Sequence, residues 1–119
     1  MENKEFAKEL EKRTKVFAVK ILRLSAKLPK TVEARVIRNQ ISKSGTSVGA
    51  NYREANRSRS KADFISRLRI CESEASETVY WLEIIQEFLW IEEKEILEML
   101  NEANELLAIF CSIGKTLKN

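Results

Sequence analysis

The chain has 119 residues, 44% of them hydrophobic and 33% charged, and a formal net charge of +3. This is enough for one domain with a single core, and no apolar run approaches the ~18 residues that a membrane span needs. The charged start Met1-Glu2-Asn3-Lys4-Glu5 leads into no apolar secretion segment, so the expected compartment is the cytoplasm.

Proline occurs once, at Pro29, and the glycines are Gly45, Gly49 and Gly114, which favours long helices. The first helix should run over about 4–28, with Phe6, Leu10, Phe17, Ile21, Leu24 and Leu28 at helical spacing and Pro29 ending the run. The second should run over about 32–57. Thr31 reads as its N-cap, and Glu33 suits the positive end of the helix dipole. Its seam is Ile37, Ile41, Ser44, Val48, Asn51 and Ala55, unusual in holding two polar residues.

Within it, Ser44-Gly45-Thr46-Ser47-Val48-Gly49-Ala50-Asn51 is rich in residues that a plain helix avoids. An isolated glycine costs about 1 kcal/mol against alanine in a helix interior. Two of them four apart point to close approach by another helix.

The break to the third helix falls at 56–60, where Ser60-Lys61-Ala62-Asp63 resembles a capping box. The third helix, about 61–89, carries Phe64, Leu68, Cys71, Ala75, Thr78, Leu82, Ile85 and Leu89 in heptad steps. A second stripe, Ile70, Glu74, Glu77, Trp81, Ile84 and Phe88, lies beside it. The fourth helix, about 92–116, shows Ile96, Leu100, Ala103, Leu107, Phe110 and Leu117.

Four helices with short links predict an all-α, antiparallel up-down-up-down four-helix bundle in one domain, 1–119. A turn centred near residue 59 puts Ser44 level with Glu74 and Ser47 level with Cys71. Gly45 and Gly49 would then face Cys71 and Ala75. The same reasoning puts Cys71 level with Cys111 and leaves open whether the two thiols touch.

Charge is segregated. From Arg35 to Arg69 nine basic residues face only Glu54 and Asp63; from Ile70 to Glu105 eleven glutamates face only Lys94. Such polarity suits a polyanion partner or head-to-tail contact between subunits. The basic set is Arg38, Arg53, Arg57, Arg59, Lys61, Arg67 and Arg69, part of it around the turn between the second and third helices. Helix one adds Lys12, Arg13, Lys15, Lys20, Arg23 and Lys27. Tyr52 and Phe64 are the only aromatic residues in the basic region, so backbone contact with RNA or DNA is expected rather than base readout.

An enzyme is not expected. Glu54, Glu74 and Glu77 could converge as in di-iron bundles, but those sites use Glu-x-x-His pairs and the chain has no histidine. Gly45-Thr46-Ser47-Val48-Gly49 lacks the Lys-Ser/Thr ending of a P-loop. Two cysteines without C-x-x-C spacing make no zinc site, and they read as small buried hydrophobes. No metal or cofactor is expected.

Ser44, Ser47, Asn51, Glu54, Glu74, Glu77 and Trp81 read instead as a network between helices two and three that fixes register and subunit packing. Arg53 would be the counter-charge to Glu54 or Glu77.

Taken together, Leu28-Pro29, Gln40, the run from Ser44 to Ala55, Ser60, Asp63-Phe64-Ile65, Glu74, Glu77-Thr78 and Trp81-Leu82 resemble the 23S rRNA intervening-sequence protein family over nearly the whole chain. The resemblance implies a left-handed four-helix bundle and a ring-shaped homo-oligomer, a pentamer. It also implies kinship with an accessory protein of diversity-generating retroelements, which looks like a nucleic-acid-binding partner of a reverse transcriptase. The competing expectation is an oligomeric scaffold whose basic rim accepts an acidic partner protein.

Overall fold

The computed structural model describes residues 3–118, the side chain of Lys118 excepted. Four helices follow one another: α1 (Lys4–Ala26), α2 (Val32–Ala55), α3 (Lys61–Phe88) and α4 (Glu93–Lys118). Each end lies within two residues of its predicted position, the range over which helix ends fray. Three N-caps explain the starts of the first three helices. Asn3 Oδ1 accepts from the Glu5 and Phe6 amides, Thr31 Oγ1 from Ala34, and Ser60 Oγ from Asp63. At the end of α1, Leu28 is biased away from helix by Pro29. The loop carbonyls there are taken up by a side chain: Arg38 donates to the carbonyls of Ser25, Leu28 and Pro29.

Consecutive helices pack on each other, whereas the backbones of α1 and α4 barely approach and those of α1 and α3 do not. The bundle is 45 Å long and 21–23 Å across. Its core is the predicted one over most of its length: Phe17, Ile21, Ile41, Val48, Phe64, Leu68, Ala75, Leu82, Ile85, Ile96 and Phe110 are buried. Tyr52, outside the predicted seam, is also fully buried and meets the Phe110 ring at 5.7 Å.

Where α1 and α4 face each other, long charged side chains span the gap. Arg13 bonds Glu102 at 2.6 and 2.8 Å and Glu105 at 2.8 Å, and Lys27 reaches Glu95 at 2.8 Å. The hydrogen bonds from Arg13, first to Glu102, hold its guanidinium more firmly protonated than usual. The same bonding draws the Glu105 carboxyl below its ordinary range. Arg13 and Lys27 are therefore committed to the fold.

Three register expectations are corrected. Gly45 and Gly49 face α1, not Cys71 and Ala75: a Cβ on Gly45 would lie 2.7 Å from Ile21 Cγ2, and one on Gly49 3.0 Å from Thr14 Oγ1. The reason is rotation. Successive helical residues point ~100° apart, so Ser44 looks at α3 while Gly45 looks at α1. Ser44 is matched with Thr78 rather than Glu74, since their hydroxyl oxygens lie 2.8 Å apart. Thr78 stands one turn beyond Glu74 on the same face, so the register is shifted by one helical turn.

The third correction is Leu89, expected in the core seam. It is 85% exposed and adopts the left-handed conformation (φ 56°, ψ 33°) that ends α3. Once the helix stops at Phe88 the heptad phase no longer applies, and Ile91 closes the core instead. A left-handed residue other than glycine costs about 1–2 kcal/mol. Leu89→Gly is therefore expected to stabilise the protein by ~1 kcal/mol after the glycine's extra unfolded-state entropy. A thermal unfolding midpoint that fails to rise would contradict this account of the cap.

Candidate nucleic-acid interface

The turn between α2 and α3 is built by the end of one helix and the cap of the next. Three-residue turns, Arg57 N–H to Glu54 O and Ser58 N–H to Ala55 O, unwind α2, and Ser60 starts α3. The side chains of Arg57, Arg59 and Lys61 are thrown outward and are exposed. Among the described residues none of the three has a carboxylate within ion-pair distance. In the same turn Ser58 Oγ is buried and has no hydrogen-bond partner among the described residues.

The start of α1 belongs to the same end of the bundle, because Asn56 Nδ2 donates to Glu11 at 2.8 Å. Lys4 and Lys8, both exposed, thus join this pole. Sequence reasoning did not include them; the antiparallel return of the chain was the available signal.

The other predicted cations divide. Arg53 reaches Glu11 only at 4.0 Å and is 56% exposed, so the pair is loose; it is not paired with Glu54 or Glu77 as expected. Arg67 sits 3.6 Å from Asp63, one turn away on its own helix. Arg69 is exposed and lines a surface groove with Glu72 and Cys111. Arg38 does not belong to the pole. It stands 19 residues before Arg57, which in helix is ~28 Å, and its guanidinium caps the α1–α2 loop.

The expected polar network between α2 and α3 is mostly local. Ser47 donates to Lys43 O at 2.7 Å and Asn51 to Ser47 O at 2.8 Å, each back onto its own helix. Within that set of residues the Ser44–Thr78 contact is the one that crosses, and both residues are fully buried. Glu54 is exposed. Glu74 is half-buried, and burial first, then the Glu77 charge, raises its carboxyl above the ordinary value while Lys43 opposes them. Trp81 Nε1 donates to Glu77 at 3.2 Å. Ser47, Asn51, Glu54, Glu74, Glu77 and Trp81 therefore keep some exposure on the outer sides of α2 and α3.

Cys71 is fully buried, and loss of solvation pushes its thiol up to about 12. Cys111 is only half-buried, against expectation, and donates to Glu72 Oε1 at 3.0 Å. The two cysteines are not joined. Among the described residues no group of three or more Cys, Asp or Glu is placed to hold a metal ion, and no helix is long and apolar enough to cross a membrane.

A shallow groove of about 380 Å³ runs between α1 and α2, lined by small residues such as Ala18, Gly49 and Ala50.

Comparison with known proteins agrees with this architecture. The solved structure of a protein of unknown function from the S23 ribosomal protein family of Bacteroides thetaiotaomicron is 38% identical in sequence. The match covers 88% of this chain and 97% of that one, with a TM-score of 0.82. A search of curated proteins found no match. The family described as 23S rRNA-intervening sequence protein matches residues 8–112, and with that span the chain belongs to this family.

Proposed function

We propose that the protein is a non-catalytic, ring-forming bundle of the cytoplasm that binds nucleic acid, structured RNA above all, through the α2–α3 pole. The observation that carries this reading is the group Arg57, Arg59 and Lys61, exposed and without ion-pair partners among the described residues. Cations already neutralised by carboxylates have little to gain from phosphate, whereas free ones release counterions on binding. Arg53, Arg67 and Arg69 extend the surface along the adjoining turns. In a pentamer five copies of the pole surround one rim, and repetition turns a weak patch into a strong field. The family's ribosomal RNA context supports RNA over duplex DNA.

The second reading is an oligomeric scaffold whose rim holds an acidic partner protein. It is favoured by the absence of exposed aromatic residues for base stacking in the turn itself.

Binding of labelled structured RNA and of duplex DNA, at low and moderate salt with oligomer mass recorded on the same sample, separates the two. The Arg57→Ala/Arg59→Ala variant should bind RNA at least tenfold more weakly. It should also lower the salt slope by about 1 for each phosphate that the variant no longer neutralises. Undiminished RNA binding by this variant rules out the pole, and an intact ring without affinity at low salt leaves the scaffold reading.

A further inference from the structure

The two hairpins of the bundle carry opposite charge. Between Lys4 and Arg59 there are fifteen basic and five acidic residues; between Ser60 and Lys118 there are six basic and twelve acidic. On each hairpin an exposed apolar stripe is framed by the local charge. On α1 the stripe is Val16, Val19 and Leu22, each more than 40% exposed. Lys12, Lys15 and Arg23 stand three or four residues away on the same side of the helix and are also exposed. On α3 the stripe is Tyr80, Ile84 and Phe88 with Trp81 beside it; Tyr80 and Phe88 are more than 50% exposed, Ile84 and Trp81 half-buried. Glu77, Glu83 and Glu87 frame it at the same spacing and are exposed.

These stripes cannot meet within one chain, because the α1 and α3 backbones do not approach each other and both stripes are exposed on the outside of the bundle. By the contacts through α2, their levels adjoin rather than coincide. Ile21 packs on Gly45, and the neighbouring Ser44 is matched with Thr78. The stretch 16–22 is therefore level with about 73–79 of α3, and a copy whose α1 stripe covers the α3 stripe of the next is displaced by about two helical turns along the bundle, ~12 Å. Apolar side chains gain by leaving water, and the frames around them are opposite in sign, which selects this pairing over α1 on α1 or α3 on α3.

We infer that the α1 stripe of one copy docks on the α3 stripe of the next, as the contact that builds the assembly. The inference rests on the ring reading above and names its surfaces. The two surfaces differ, so the contact is head-to-tail; it closes a ring when the bundles tilt against the ring axis enough to absorb that displacement.

The test is charge reversal read by native mass. One variant carries Lys12→Glu, Lys15→Glu and Arg23→Glu; a second carries Glu77→Lys, Glu83→Lys and Glu87→Lys; a third carries all six. All six positions are exposed, and cooperative thermal unfolding checks each fold. The wild type should be an oligomer, and each triple variant should fall to the 13.8 kDa single chain. The sixfold variant, with complementarity restored in reverse, should reassemble. A wild type that is itself a single chain overturns both the ring and this contact. A wild-type oligomer whose triple variants stay assembled, or whose sixfold variant stays dissociated, overturns the contact alone and leaves the ring standing.

Discussion

Gly45→Ala is expected to destabilise the protein by about 1–2 kcal/mol, although the same change in an open helix would stabilise it by about 1 kcal/mol. The added Cβ would lie 2.7 Å from Ile21 Cγ2, 3.0 Å from Cγ1 and 3.1 Å from Cβ. Ile21 is fully buried and β-branched, so it has no free rotamer into which to retreat. Relief must come from moving α1 away from α2, and overpacking of this kind costs about 1–3 kcal/mol. Gly45→Val should lose more than 3 kcal/mol, adding two methyl groups and β-branching to the same clash. Chemical denaturation of both variants measures the effect. Adding Ile21→Ala should recover part of the loss in the Gly45→Ala background, since the two sites then couple. A Gly45→Ala protein as stable as the parent would mean that α1 and α2 do not approach as closely as described.

The second large effect is expected at the buried hydroxyl pair. Thr78 Oγ1 lies 2.8 Å from Ser44 Oγ and 2.8 Å from the Glu74 carbonyl oxygen. Each hydroxyl carries a single proton. Thr78 donating to Glu74 O and accepting from Ser44 accounts for both distances. Thr78→Val keeps the shape and removes the acceptor. Ser44 is then left with the Ile41 carbonyl at 3.5 Å, too long to satisfy it. A buried hydroxyl without a partner costs about 1–3 kcal/mol, so Thr78→Val should lose that much. Ser44→Ala should lose less, because Thr78 keeps its bond to Glu74. The double variant Ser44→Ala/Thr78→Val should be more stable than Thr78→Val alone, because no orphan hydroxyl remains. Equal losses for the double variant and Thr78→Val would refute the pairing.

The fold was legible because helices announce themselves locally. The apolar spacing of Phe17, Ile21 and Leu24 or of Phe64, Leu68 and Cys71 is a property of one helix, as are the caps Thr31 and Ser60, and all hold in the structure. Register between helices is different in kind. A turn of a few residues can shift its partner by a whole helical turn without changing which face is apolar, which is how Thr78 took the place expected for Glu74. The basic pole was legible in part. Arg57, Arg59 and Lys61 follow from their place in a turn. That Arg38 is spent on loop carbonyls and Arg13 on two glutamates depends on residues far away in sequence.

By itself, then, the sequence determined the number of helices, most of their buried faces, the family resemblance and the segregation of charge between two hairpins. Each follows from residue types within a few positions of one another. Only the tertiary structure decided which neighbour Gly45 and Gly49 admit, which hydroxyl Ser44 meets and which cations have no ion-pair partner among the described residues. The physical reason is that successive helical residues point ~100° apart. A side chain's partner is therefore set by the rotation and height of whole helices, which no local stretch of sequence encodes.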